Sequence, residues 1–489
     1  MKDLKERVLR GGLVKISSQA LNFVLRTGSL VVLARLLTPK DFGLVGMVTA
    51  VTGVLAIFKD AGLPAITVQR TTITDEQIST LFWLNMLVGV ILFGLSLAIA
   101  PAIVAFYGES RLFWVTAALA SGFVFSAGAA QHAALLQRQM RFAALAVVEI
   151  LSLSISIAVA IAMAASGYGY WALVSMNVVS LIVSAVLVWF IAAWVPGMPQ
   201  RKVGVRSMLH FGGTISLNGL VVYFANNTDK VLLGRFCGAE ALGIYGRGYQ
   251  LINIPTENLN SAIGSVAFPA LSRIQDDPNR FKNYFLKGYS LVLALTLPVT
   301  IACALFADEI IYVFLGPKWK DVVNIFRLLT PTALAFALLN PLSWQLLAMG
   351  RVGRLLKMAL VIAPIVIAGY VIGLRYGPNG VALGYSVALT LLIIPTIAWA
   401  KAGTSISWRD IFHVVSRPSL SATVAAMVAY GMQVLCGRSL SPFLRLMLGV
   451  VVLSSSYLWM LLYIMGQKAT YVDLFRGLRK RASTDFQAS

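Results

Sequence analysis

Four stretches of this chain place polar side chains at helical spacing inside otherwise apolar sequence. Lys15, Ser18, Asn22, Arg26 and Ser29 are spaced 3, 4, 4, 3. Arg247, Gln250, Asn253, Glu257 and Asn260 are spaced 3, 3, 4, 3. Such intervals bring side chains onto one face of a helix. A third stretch holds Thr214, Asn218, Asn226, Asp229 and Lys230, and a fourth Thr49, Thr52 and the pair Lys59-Asp60. A charge near the centre of a bilayer costs ~2.5–3.5 kcal/mol on insertion scales, so these faces should meet protein or a water-filled cavity, not lipid.

The chemistry of the stripes is that of anion and hydroxyl recognition. Arg26, Lys230, Arg247 and Arg327 are cations inside apolar segments, suited to a phosphate or pyrophosphate through charge-assisted hydrogen bonds. Asn22, Asn218, Gln250 and Asn253 lie among them and can bond sugar hydroxyls. Asp229 and Glu257 are the acids placed to couple a cation. Plainer readings stand beside these. Lys230, Arg247 and Arg327 lie near helix ends, where long cations snorkel to water. Asp229 has Lys230, Arg35 or Arg235 as a partner within reach. Glu257 follows Pro255, whose missing N–H frees a carbonyl. Glu149 fits a packed polar contact. Arg26 is mid-segment and too deep to snorkel.

The elements that must hold these residues are membrane helices. The chain has 489 residues, 58% hydrophobic and 12% charged, with a mean hydropathy of +0.81; soluble chains are about a quarter charged. Its apolar residues gather in runs of roughly 20, enough to cross a ~30 Å hydrocarbon core as helix. Open sheets cannot do so, because unpaired backbone groups in lipid cost too much. We expect an all-α polytopic membrane protein of about 14 spans, near 15–36, 42–58, 78–105, 112–135, 142–165, 169–194, 209–233, 241–268, 284–306, 322–348, 354–374, 380–400, 418–437 and 442–466.

An even number of spans puts both ends on one side. Of the 40 lysines and arginines, 27 fall on that side and nine on the other. The positive-inside rule then makes both termini cytoplasmic. The net charge of +21 is therefore a topology signal, and nucleic-acid binding is excluded as a reading. Arg26 interrupts the first apolar run and no cleavage site follows, so that run is expected to be an uncleaved helix rather than a signal peptide.

The chain repeats itself. Val31, Leu33, Arg35, Gly43 and Gly46 match Val231, Leu233, Arg235, Gly243 and Gly246 at a constant offset of 200. Later matches drift: Pro64-Ala65 with Pro269-Ala270, Phe106 and Gly108 with Phe314 and Gly316, Leu135-Leu136 with Leu346-Leu347, Ala172-Leu173 with Ala382-Leu383. Six spans per copy is an even number, so the copies should be parallel lobes about an axis along the membrane normal, with the substrate site between them. The stripes put spans 1, 2, 7 and 8 around that central cavity. The divisions expected are a cytoplasmic amphipathic lead-in (1–14), a first six-helix lobe (15–195), a linker (196–207) carrying Pro196, Pro199 and Arg201, a second lobe (208–402), an appended helix pair (403–466) and a basic tail (467–489).

Enzyme chemistry finds little support. There is no Gly-x-x-x-x-Gly-Lys-Ser/Thr segment for ATP. His132, His210 and His413 are isolated, and Cys237, Cys303 and Cys436 have no paired spacing, so neither a metal centre nor a disulfide framework is expected. No large loop is left to hold a glycosyltransferase or ligase site.

Two segments carry a resemblance. Thr228-Asp229-Lys230-Val231-Leu232-Leu233-Gly234-Arg235, continued by Gly238-Ala239-Glu240-Ala241-Leu242-Gly243-Ile244-Tyr245, Tyr249-Gln250-Leu251 and Phe268-Pro269-Ala270-Leu271-Ser272-Arg273, is one. Ala34-Arg35-Leu36-Leu37-Thr38-Pro39-Lys40-Asp41-Phe42-Gly43 is the other. The chain resembles, over nearly its whole length, the bacterial polysaccharide exporters: O-antigen and exopolysaccharide flippases of the multidrug/oligosaccharidyl-lipid/polysaccharide superfamily. The resemblance implies translocation of an undecaprenyl-pyrophosphate-linked oligosaccharide across the bacterial inner membrane by alternating access, for lipopolysaccharide or exopolysaccharide. It implies a polysaccharide polymerase and chain-length machinery as partners. It brings no catalytic motif and no cofactor, and leaves a coupling cation (H+ or Na+) or the membrane potential as the energy source. An ion-coupled exporter of small molecules or drugs, a membrane polysaccharide polymerase and a membrane scaffold are the alternatives. Cationic stripes argue against a cationic cargo, the short loops against a polymerase, and the buried polar faces against a scaffold.

Overall fold

The computed structural model describes residues 2–59, 63–70, 72–199, 206–436 and 440–468, and only the backbone at 2–16, 206–222, 225, 262 and 436. The side chain of Asn218, residues 200–205 of the expected linker, and the expected tail beyond 468 therefore lie outside what is described, as do the side chains of the lead-in. Among the described residues there are helices and no strands. All fourteen expected spans fall on helices. Among the described residues ten helices are long and apolar enough to cross a membrane.

The chain divides into two compact units, Met1–Gly243 and Ile244–Ser489. The first holds α1 (Lys2–Leu36), α2 (Pro39–Ala56), α3 (Leu63–Gln69), α4 (Asp75–Tyr107), α5 (Leu112–Arg138), α6 (Phe142–Ala165), α7 (Trp171–Ala192) and the first arm of α8 (Arg206–Ser272). α1 runs unbroken from the lead-in into the first span. Thr38 then stops it and starts α2 with a capping box: its side chain and backbone exchange bonds with Asp41, and Pro39 sits at the first helical position. Asp41 thereby satisfies donors that a helix start leaves orphaned. Within the unit α4 packs on α5, α5 on α7, α6 on α7 and α1 on α6. Gly89 lets α4 approach the backbone of α5, since a Cβ there would lie 2.8 Å from Phe123 O.

α3 was not expected; seven residues are too few to register as a span. It fills the loop between the second and third spans, and Arg138 at the end of α5 fastens it by donating to the carbonyls of Thr67, at 2.8 Å, and Arg70. The start of the expected linker is fastened too. Trp83 Nε1 donates to Gly197 O at 2.8 Å, and Gly197 N–H donates to Ser79 Oγ at 2.9 Å. His132 is fully buried, stacked on Trp189 at 4.3 Å, with its Nε2 3.1 Å from Trp194 O. This is an interior role, and no metal cluster exists among the described residues.

The second unit holds the second arm of α8, α9 (Pro278–Leu305), α10 (Ala307–Phe314), a 3-10 turn (Pro317–Trp319), α11 (Val322–Ala348), α12 (Val352–Leu374), α13 (Gly377–Lys401), α14 (Trp408–Cys436) and α15 (Pro442–Trp459). α12 and α13 meet through glycines: a Cβ on Gly373 would lie 2.1 Å from Gly380 O, and one on Gly384 2.1 Å from Gly369 O. The last two helices dock on α9, where Tyr457 donates to Ala294 O at 3.0 Å. α10 is a second short helix beyond what the apolar runs announce.

Candidate functional site

In the first unit the α1 stripe separates into two environments. Ser18, Asn22 and Ser29 are buried, while Arg26 is exposed. Neither amide atom of Asn22 meets a protein partner among the described residues. A buried amide left so costs ~1–3 kcal/mol, and a water or a ligand hydroxyl would relieve it. Arg26 has its backbone carbonyl capped by Ser29 Oγ at 2.8 Å.

The first arm of α8 is built differently. Asp229 is fully buried and Lys230 half-buried. Lys230 Nζ donates to Asn227 Oδ1 at 2.8 Å, one helical turn back. Arg235 lies 5.5 Å over the ring of Phe106, a cation–π contact. Tyr223, which the spacing arguments passed over, joins this arm to α2: its hydroxyl reaches Thr49 O at 3.0 Å and Ala50 O at 3.1 Å. The ring fits a notch at Gly53, where a Cβ would lie 2.0 Å from the Tyr223 oxygen. An aromatic at 223 facing a glycine at 53 has no periodicity to reveal it.

The duplicated hairpins meet here. α8 bends at Gly238, whose φ of 84° is open to glycine at little cost. Position 238 is the copy of Thr38, so each repeat breaks its helix pair at the same place. A Cβ on Gly43 would lie 1.6 Å from Ala239 O, and one on Gly243 1.8 Å from Pro39 O. Residues 239 and 243 are the copies of 39 and 43. The contact is thus reciprocal, as two copies of one element related by a pseudo-twofold axis make.

In the second unit the α8 stripe again splits. Asn253 and Asn260 are buried, Arg247 and Gln250 partly so, and Glu257 is exposed. At about 100° per residue Glu257 sits some 40° round the helix from Asn253, far enough to leave the buried face. Neither amide atom of Asn253 has a protein partner among the described residues. Arg327 is engaged elsewhere: it pairs with Asp308 of α10, an end-of-helix ion pair that its position in the sequence did not disclose. Outside the helices, in the loop joining α4 to α5, Arg111 hydrogen-bonds Glu109 at 2.8 Å and holds that carboxyl below its usual range.

The profile of a family described as polysaccharide biosynthesis protein matches residues 32–324. Among curated relatives, the teichuronic acid biosynthesis protein TuaB of Bacillus subtilis (strain 168) is 27% identical over 428 residues, 83% of this chain and 85% of that one. The lipopolysaccharide biosynthesis protein WzxC of Escherichia coli (strain K12) is 25% identical over 407 residues, 81% and 80%. Among solved structures, the lipid II flippase MurJ in an inward closed conformation shares the fold, with a TM-score of 0.74 at 15% identity over 96% of this chain and all of that one. With the matched residues spanning more than half its length, this chain belongs to the polysaccharide biosynthesis protein family.

Proposed function

We propose that this chain is a flippase that carries a lipid-linked, pyrophosphate-bearing oligosaccharide from the cytoplasmic to the periplasmic leaflet of the bacterial inner membrane by alternating access. The observation that carries the reading is the exposed Arg26 in the middle of a membrane-length helix, between buried asparagine and serine on the same stripe. Lipid gives such a charge no partner; a phosphate-bearing cargo does. Family membership points the same way, as does likeness to proteins named for lipopolysaccharide and teichuronic acid biosynthesis. Undecaprenyl pyrophosphate is the carrier we assign; Arg26 and Lys230 in the first unit and Arg247 in the second are the cations suited to phosphate, and the asparagines of each stripe are suited to the glycan. Asp229 and Glu257 are the groups we assign to a coupling cation, and a polysaccharide polymerase with its chain-length machinery receives the product.

Deletion in a producing strain should leave lipid-linked repeat units on the cytoplasmic face, where an added periplasmic glycan-modifying enzyme cannot reach them. Units reaching the periplasmic leaflet at the normal rate would reject the reading. Topology is tested separately. Cysteine placed in the Gly316–Lys320 turn of intact cells should react with an impermeant thiol reagent, and cysteine added at the carboxy terminus should not. Labelling of the terminal cysteine would overturn the assignment of cytoplasmic ends.

A further inference from the structure

A cavity of about 270 Å³ opens in the second unit where α10, α11 and α15 begin, lined by Asp308, Glu309, Tyr312, Lys320, Pro442 and Arg445. It is remote in sequence from the polar stripes. It is smaller than the ~300–1,000 Å³ of typical small-molecule sites, so it has room for one ring and not for a chain of them.

The lining alternates acceptors and donors. Asp308, which also pairs with Arg327, and Glu309 accept; Lys320 and Arg445 donate. Arg445 is fixed in place, with Nη1 on Glu309 Oε1 at 3.2 Å and Nη2 on Leu440 O at 3.3 Å. Gln433 of α14 steadies the same carboxylate oxygen at 3.4 Å. Glu309 is 2% exposed, and its other oxygen has no protein partner among the described residues; neither has Arg445 Nε. A buried carboxylate oxygen left alone is costly. The pair asks for a group that both gives and takes a hydrogen bond, which neighbouring hydroxyls do together. Tyr312, 49% exposed, adds a flat aromatic face.

We propose that this cavity binds a single pyranose ring, its vicinal hydroxyls bridging the Glu309 and Arg445 wall and its C–H face lying on Tyr312. The sugar is taken to be a unit of the transported glycan, so the assignment rests on the flippase reading. By the topology above it lies on the periplasmic side, where a second sugar contact would hold the cargo after it leaves the polar stripes. A lipid headgroup is the competing occupant; the mixture of two acids with two cations and an aromatic face favours a polyhydroxyl ring.

The test is photo-crosslinking in the full-length protein in a glycan-producing strain, with Tyr312→p-benzoylphenylalanine. The result expected is an adduct whose mass includes saccharide, absent when glycan synthesis is blocked. It should fall at least tenfold in Lys320→Gln and Asp308→Asn backgrounds, both exposed positions that leave the buried Glu309–Arg445 pair intact. A phospholipid adduct alone, a saccharide adduct indifferent to both substitutions, or no adduct in protein that reaches the membrane at normal abundance would overturn the proposal. The translocation assay above is read independently. Normal dependence of translocation on the protein with no saccharide adduct removes this site and keeps the flippase; loss of that dependence removes the flippase.

Discussion

Gly43→Ala and Gly243→Ala should each reduce glycan export about tenfold or more, by equal amounts, with the chain still inserted in the membrane. The new methyl would lie 1.6 or 1.8 Å from a backbone carbonyl oxygen. A side chain can turn aside, but a carbonyl inside a helix start cannot, so the α1–α2 turn and the α8 bend must part. Overpacking of this kind costs ~1–3 kcal/mol, which is ~5- to 150-fold in an equilibrium. The equality is the sharper expectation, because the two contacts are copies of one. The double variant should be little worse than either single one, since the first methyl has already separated the surfaces. Gly28→Ala is the control: a Cβ there meets nothing within 4 Å and improves helix propensity by ~1 kcal/mol. Export is read as surface polysaccharide in a flippase-deficient strain, normalised to protein in the membrane. Wild-type export by both alanine variants would show that the reciprocal contact is not used in transport.

Arg26→Ala and Arg247→Ala should lower binding of the lipid-linked glycan ~10–100-fold, on the basis of ~1.5–3 kcal/mol for each desolvated charge-assisted hydrogen bond. Lysine at either position should recover part of the loss, because charge remains while the bidentate fork does not. The two sites differ in a way that burial now makes clear. Arg26 is open, so its alanine variant should keep normal abundance and lose function alone. Arg247 is partly buried, so its alanine variant should also lose some thermal stability. Surface polysaccharide per unit of membrane protein separates the two effects. Full export by both alanine variants at normal abundance would leave only snorkelling and packing as their roles.

The helical membrane fold was legible because lipid imposes a length and a composition on every span, and both are written locally. The repeat was legible because Gly43 and Gly243 keep identity at constant spacing. That the two glycines face each other's hairpin was not, because a match in sequence carries no information about contact in space. The short helices α3 and α10 escaped notice because seven and eight residues are too few to carry a hydropathy signal. The stripes were visible as spacing, yet spacing assigned Asn22 and Arg26, or Asn253 and Glu257, to one environment. The neighbours of each helix separated them, and those neighbours lie far away in the chain. Arg327 looked like a cation at a helix end; its acid, Asp308, sits on the helix that the sequence did not announce.

α1 has a mechanical consequence. Its 35 residues make a rod of about 50 Å at ~1.5 Å per residue, against a hydrocarbon core of ~30 Å. No hinge separates the basic lead-in from the segment bearing Asn22 and Arg26. A tilt at the amino-terminal end of this helix is therefore carried along its axis to the stripe without any messenger but the helix.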